Sequence, residues 1–147
     1  MKKSILSVLA IPYLAFASFA QVKHSIGEKW GGGVIFVIQP GGMHGLIVET
    51  LDQGNTVWED AKNICKTGTH SEAGKKFRDW RLPTKTELDA MYTHIFDIGK
   101  QGSFTSGEYW SSTESDTEHA CCEDFVDGTQ STDYKNSFKD VRAVRAF

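Results

Sequence analysis

The stretch Asp79-Trp80-Arg81-Leu82-Pro83-Thr84-Lys85-Thr86-Glu87-Leu88 changes character at Pro83, which predicts a strand end followed by a helix. Proline holds the residue before it in an extended conformation, so the helix begins only after it. Thr84 and Glu87 have the spacing of a capping box, in which each side chain bonds the backbone N–H of the other. Gly99 is the predicted stop of this helix. Its apolar stripe consists of Leu88, Met91, Tyr92 and Ile95.

An earlier helix is predicted from a second spacing of the same kind, with Thr56 as N-cap and Glu59 three residues later. Thr67-Gly68 ends this helix. The residues that share its apolar face are Trp58, Ala61, Ile64 and Cys65.

Strand patterns lie on both sides of the helices. The apolar run from Val34 to Ile38, the turn Pro40-Gly41-Gly42 and the segment from His44 to Thr50 predict a hairpin. Gly31-Gly32-Gly33 precedes a strand rather than a helix, which favours a bulge or a close backbone approach over a phosphate loop. Later strands are predicted at Glu108 to Ser112, His119 to Val126, Tyr134 to Phe138 and Asp140 to Phe147, with a bulge near Ala143. The fold class that follows is α+β.

The start of the chain has the features of an export signal. Lys2 and Lys3 precede an apolar stretch from Ile5 to Phe16, and Ser18-Phe19-Ala20 offers small residues for cleavage after Ala20. Residues 1–20 are therefore predicted to be a signal peptide and residues 21–147 a single domain. The alternative is a membrane anchor, for which the stretch is short. Export predicts a secreted, periplasmic or cell-surface protein.

The charge balance limits the partners. The chain has a net charge of −3, and removal of Lys2 and Lys3 would leave about −5. No basic stripe is present, so nucleic acid is not an expected partner. No segment after the signal is apolar enough to span a membrane. The oligomeric state stays open.

Three cysteines allow one disulfide in an exported protein. Vicinal cysteines rarely bond each other, so the prediction is a disulfide from Cys65 to either Cys121 or Cys122. Cys121-Cys122 lacks the Cys-x-x-Cys spacing of a zinc site, and no metal is predicted there.

Several ordered motifs resemble one known domain family. They are Trp80-Arg81-Leu82-Pro83-Thr84-Lys85-x-Glu87-Leu88, Tyr109-Trp110-Ser111-Ser112-Thr113-Glu114, Phe125-x-x-Gly128 and Val141-Arg142-Ala143-Val144-Arg145. The chain resembles the family named after the C-terminal domain of the Legionella collagen-like adhesin. The resemblance implies a C-type-lectin-like fold, a bacterial surface or secreted protein, and adhesion or glycan binding without catalysis.

The chain departs from that family in two ways. It lacks collagen-like Gly-x-y repeats, and its negative charge would repel the sulfated glycosaminoglycans associated with the family adhesin. A local basic patch would be needed to bind them. Its candidate residues are Lys75, Lys76, Arg78, Lys135 and Lys139.

The resemblance also separates structural from ligand-binding residues. The predicted core and fold-motif residues are Trp58, Trp80, Arg81, Pro83 and Trp110, whereas Trp30 stays unassigned. The ligand-binding candidates lie late in the chain and are Asp116, Glu118, His119, Glu123, Asp133 and Lys135. Calcium is a possible cofactor through oxygen ligands from Asp116, Glu118, Glu123, Asp124 and Asp127, although the calcium motifs of sugar-binding C-type lectins are absent.

Two alternatives to a binding module stay open. A thiol-dependent enzyme related to formylglycine-generating enzymes would use Cys121 and Cys122, and His119 could reach Cys121 along one strand face. The other alternative is a passive structural component of the envelope. No catalytic residues are predicted.

Overall fold

The computed structural model describes residues 22–96 and 104–147, and all structural statements concern these residues. The predicted signal peptide and the predicted helix stop at Gly99 lie outside them. Two α-helices are present, α1 at Trp58–Thr67 and α2 at Lys85–Met91. The strands are β1 Lys29–Trp30, β2 Gly33–Ile38, β3 Gly45–Glu49, β4 Gly54–Thr56, β5 Glu108–Glu114, β6 His119–Asp124, β7 Thr129–Tyr134, β8 Lys139–Val141 and β9 Val144–Ala146. The predicted α+β class is confirmed.

The first sheet joins the two ends of the described chain. Its strand order is β1-β2-β3-β9, and each neighbouring pair is antiparallel. The predicted hairpin is confirmed as β2 and β3. The last residue, Phe147, exchanges two backbone hydrogen bonds with Gly45 at 3.2 and 3.3 Å. This pairing fixes the C-terminus beside the hairpin.

The second sheet has the strand order β4-β8-β5-β6-β7. Its pairs are antiparallel except β5 and β8, which are parallel where Tyr109 faces Asp140. The prediction of one bulged strand from Asp140 to Phe147 is wrong, because β8 and β9 belong to different sheets. The chain crosses between the sheets at Arg142 and Ala143, next to the predicted irregularity.

Both helices predicted from the sequence are present, and their N-caps agree with the prediction for α2 but not for α1. Thr84 and Glu87 form the predicted capping box at the start of α2. The predicted N-cap Thr56 of α1 is wrong, because Thr56 is the last residue of β4 and the helix is preceded by Val57 without a side-chain cap. A π-helical turn at Tyr92–Phe96 extends α2, and a 3₁₀ turn occupies Gly74–Lys76.

Three of the four tryptophans lie in the core, and each indole N–H donates to a backbone carbonyl. Trp58 bonds Ser111 at 2.7 Å, Trp80 bonds Gly74 at 2.9 Å, and Trp110 bonds Thr56 at 3.0 Å. A buried indole needs such a partner because its N–H loses water on folding. These bonds join α1 to β5, β5 to the end of β4, and Trp80 to the 3₁₀ turn.

The predicted disulfide is wrong, because Cys65, Cys121 and Cys122 are all free and buried. Cys65 projects from α1 into an apolar cluster, and burial raises the pKa of its thiol to about 12. The Cys122 thiol instead lies 3.1 Å from the hydroxyl of Ser131 on the neighbouring strand. The core is therefore held by packing rather than by a covalent link.

Candidate functional site

A shallow concave surface of about 600 Å³ lies where the β1–β2 turn faces the segment after β3. We call it the Trp30 groove. It is lined by Lys29, Trp30, Gly31, Gly32, Gly33, Thr50, Leu51, Ser71, Glu72 and Ala73. Its volume is within the range of small-molecule sites.

Trp30 is the one tryptophan with substantial exposure, at 47%. Its indole packs against the ring of His24, with centroids 4.5 Å apart, and His24 meets Phe147 edge-on at 5.3 Å. His24 is oriented by Glu28, whose carboxylate lies 3.0 Å from its Nδ1. This hydrogen bond lowers the pKa of Glu28. The contacts hold the indole in place at the edge of the groove.

The glycines explain how the two walls of the groove come so close. Gly32 has a φ of +96°, and a Cβ there would lie 2.9 Å from the Cα of Gly74. A Cβ at Gly33 would overlap the carbonyl oxygen of Val48. The predicted close backbone approach at these glycines is confirmed.

A buried polar pair supports the opposite wall. Glu49 is fully buried at the end of β3 and lies 3.2 Å from the Nδ1 of His70. The backbone N–H of Thr50 donates to the same carboxylate at 2.8 Å. The His70 ring stacks on Trp80, with centroids 5.4 Å apart. The segment that carries Ser71 is thereby fixed to the first sheet.

A second depression, of about 370 Å³, lies between α1 and the start of α2 and is called the basic depression. It is lined by Lys62, Lys66, Arg81, Leu82, Thr84 and Ser112. The guanidinium of Arg81 makes two hydrogen bonds of 2.7 Å to the carboxylate of Glu87, which raise the pKa of Arg81. Lys62 pairs with Glu59 at 3.1 Å. Two of the three cations are thus already paired within the chain.

Four of the late ligand-binding candidates meet at the β5–β6 turn and the end of β7. Asp116 accepts the backbone N–H groups of Glu118 and His119 and lies 2.8 Å from the His119 ring nitrogen. The first of these bonds does most to lower the pKa of Asp116. Lys135 donates to Glu114 and to the carbonyl of Thr117. The polar groups of this cluster therefore form hydrogen bonds mainly within the cluster.

The other two candidates lie elsewhere. Glu123 is fully buried, and Asp133 pairs with the buried Lys139 at 2.8 Å. A second carboxylate, that of Glu108, lies 2.6 Å from the same ammonium group. The predicted contribution of Lys139 to a surface basic patch is therefore wrong, because its charge is neutralised in the interior.

The arrangement of acidic residues bears on the calcium expectation. No three His, Cys, Asp or Glu side chains come together as metal ligands anywhere in residues 22–96 and 104–147. Asp116 and Asp127 accept hydrogen bonds from nearby backbone N–H groups, and Glu123 is enclosed in the core. The described residues thus offer no preformed oxygen cage.

Two of the three thiols, those of Cys65 and Cys122, lack the environment of a nucleophile. Burial raises the pKa of the Cys122 thiol and outweighs its hydrogen bond with Ser131. His119 is taken up by Asp116 and by the ring of Tyr134, whose centroid lies 4.3 Å away. A reactive cysteine needs a lowered pKa and access to solvent, and Cys65 and Cys122 have neither.

Sequence reasoning placed binding in the late strands and did not select the Trp30 groove. The available signal was a tryptophan directly before three glycines, since glycines let other segments approach and leave a large neighbouring side chain uncovered. What it could not supply was the position of Thr50 and Ser71, which reach the groove from distant parts of the chain.

The fold and these surfaces define an α+β domain with shallow, open depressions. The family model called the Lcl C-terminal domain matches residues 38–145, and the chain belongs to this family. No curated protein matches the chain significantly. No helix in the described part of the chain is long and apolar enough to cross a membrane. The match begins at the last residue of β2, so Trp30 and the three glycines precede the matched segment.

Proposed function

We propose that the protein is a secreted or surface-associated bacterial binding module that recognises a glycan or a host or matrix ligand without catalysis. The observation that carries the proposal is the exposed indole of Trp30 at the edge of the Trp30 groove. The other three tryptophans are buried, so this is the one indole able to meet a ligand.

The physical basis is the match between an indole plane and a sugar ring. A pyranose presents C–H groups on one face and hydroxyls around its edge, which suits an aromatic plane beside polar groups. Trp30 supplies the plane, while Thr50 and Ser71 supply hydroxyls in the same groove. Because His24 already packs against the indole, little side-chain freedom is lost when a ligand arrives.

The proposal includes a C-type-lectin-like fold and export through the predicted signal peptide. It is supported by family membership and by the meeting of the chain end with the hairpin, where β9 pairs with β3. A thiol enzyme finds less support, because burial raises the pKa values of Cys65 and Cys122. The late candidates around Asp116 and Lys135 form a secondary surface that would contact a longer ligand.

A glycan array and a panel of matrix proteins, probed with residues 21–147, test this proposal. We expect binding to at least one glycan that is weakened in Trp30→Ala and retained in Phe138→Ala. Phe138 is the matched control because it is an exposed aromatic, at 68%, outside the groove lining. Binding should be unchanged by a calcium chelator. Failure to bind any glycan or matrix protein would leave the passive envelope component as the better account.

A further inference from the structure

We infer that the Trp30 groove takes an uncharged pyranose residue of a glycan, rather than a sulfated or otherwise polyanionic chain. This inference rests on the proposed function and names the ligand class of the same groove. It is carried by the charge balance of the lining, by the hydrogen-bonding character of its polar groups, and by the contrast with the basic depression.

The charges of the groove lining balance. Lys29 and Glu72 are its two charged residues, and they have opposite signs. Glu72 also forms an exposed ion pair with Lys75. Arg145, which donates to the carbonyl of Gly31 at 3.2 Å, is held by Asp79 at 2.8 Å. With Lys75 included, this surface carries one more lysine than carboxylate, so a polyanion would meet no cluster of cations here, and the net charge of the whole chain is −3.

The remaining polar groups suit hydroxyls. Thr50 donates its hydroxyl proton to Glu49 at 3.2 Å, which leaves its oxygen able to accept. Ser71 accepts from the backbone N–H of Gly74 at 3.0 Å and lies 3.4 Å from the carbonyl of Gly32. Sugar hydroxyls both donate and accept, so they can bond such groups without a formal charge on either side.

The basic depression shows what a site for anions would contain on this chain. Lys62 and Lys66 lie one turn apart on α1, and Arg81, whose guanidinium is paired with Glu87, lines the same depression. No such grouping of cations occurs in the lining of the Trp30 groove. The basic depression is therefore the more cationic of the two, although Lys62 and Arg81 are paired with Glu59 and Glu87, and substitutions in each depression can serve as controls for the other.

Binding is measured with two sets of probes, a panel of neutral oligosaccharides and the matched pair dextran and dextran sulfate. The proteins are the unsubstituted domain, Trp30→Ala, Trp30→Tyr and the double variant Lys62→Ala/Lys66→Ala. Trp30→Tyr keeps an aromatic plane, so it separates loss of stacking from loss of folding. Thermal unfolding of every variant is recorded alongside.

The expected result is binding of a neutral probe that weakens about tenfold or more in Trp30→Ala, equivalent to about 1.4 kcal/mol. The Trp30→Tyr variant and the double lysine variant should still bind the neutral probe. Affinity should change less than about twofold between 50 and 300 mM salt, because no net charge is neutralised on binding.

Three outcomes would overturn the inference. Binding of dextran sulfate alone, lost at high salt and in the double lysine variant, would move the ligand to the basic depression while leaving the proposed binding function intact. If a neutral oligosaccharide binds equally well to the Trp30→Ala variant, the ligand class would stand, but the Trp30 groove could not be its binding site. Absence of binding to every probe, together with failure on the glycan and matrix panels, would reject the proposed function itself.

Discussion

Gln130 donates its side-chain amide to Glu123 at 2.9 Å, while the other carboxylate oxygen of Glu123 is buried without a hydrogen-bond partner. Glu123 is fully buried in β6, on the strand beside β7, which carries Gln130. Burial raises the pKa of Glu123 to about 7; the hydrogen bond from Gln130 opposes this shift, and the charge of Asp89 adds to it.

This raised pKa predicts a pH-dependent stability. Between about pH 4.5 and 7, the Glu123 carboxyl is protonated in the folded protein but ionised in the unfolded chain, where it has its usual pKa of 4.5. The free energy of unfolding therefore falls as the pH rises through this range. Glu123→Gln removes this penalty. We expect the variant to gain roughly 1–3 kcal/mol at pH 8 and little at pH 4.5, measured by urea denaturation.

Glu118→Gln is the matched control, because Glu118 is an exposed carboxylate near the start of the same strand. It should leave the difference in stability between pH 8 and pH 4.5 unchanged. An equal loss of stability in Glu123→Gln at both pH values would contradict a neutral carboxyl in the core.

The link between Arg81 and Glu87 joins the second helix to the first sheet. Arg81 exchanges backbone hydrogen bonds with Val144 in β9, and its side chain holds the carboxylate that caps α2. Burial acts to raise the pKa of Glu87, but hydrogen bonds from Arg81 and Thr84 outweigh it and lower the pKa. Its stabilising contribution is therefore present above the unfolded pKa and is lost as pH falls through the lowered value.

We expect Glu87→Gln to cost about 1 kcal/mol at pH 7 and less at pH 3, because the pair is partly exposed to solvent. Chemical denaturation at the two pH values measures the difference. Glu59→Gln removes an exposed carboxylate that pairs with Lys62, and it should cost under about 0.5 kcal/mol. Equal costs for the two variants would show that the link between helix and sheet adds nothing.

Trp58 tests the role of the buried indole bonds. Trp58→Phe keeps an aromatic ring but leaves the buried carbonyl of Ser111 without its donor and opens a small cavity. The expected loss is about 2–4 kcal/mol in the free energy of unfolding. Trp30→Phe, at an exposed position, should cost under about 1 kcal/mol. A similar cost at both positions would contradict the distinction between core and surface tryptophans.

The free thiols give a direct chemical count. In denaturant without reductant, iodoacetamide should modify all three cysteines, and mass spectrometry should report three adducts. In the native protein, modification of Cys65 should be slow, because the thiol is buried and its pKa is raised to about 12. A single adduct in denaturant would instead establish a disulfide.

Local patterns were enough to predict much of the fold. The capping box at Thr84 and Glu87 and the apolar run of β2 each depend on residues close in sequence, and both are confirmed. The burial of Trp80 was expected because it lies in a motif that carries the family resemblance, and it is also confirmed. The capping box and the apolar run depend on local backbone preferences and on the hydrophobic effect, which can be read from the sequence.

The errors arose where distant segments compete for the same residue. Threonine is a residue type favoured at helix N-caps, but Thr56 pairs with Lys139 in β8 and is therefore the last residue of a strand. Cys65 and Cys122 are separated by 57 positions in sequence, and no local pattern gives the directions of their side chains. The Trp30 groove was missed for the same reason, since its walls come from three separate segments.

The central claim is that Trp30 is the ligand-contacting tryptophan, and indole N–H signals in two-dimensional ¹H–¹⁵N NMR test it most directly. The chain has four tryptophans, and the Trp30 signal can be assigned by its disappearance in Trp30→Tyr. On titration with the tightest-binding neutral oligosaccharide, the Trp30 signal should shift to saturation while those of Trp58, Trp80 and Trp110 move little. Saturable binding with an unmoved Trp30 signal would contradict the account.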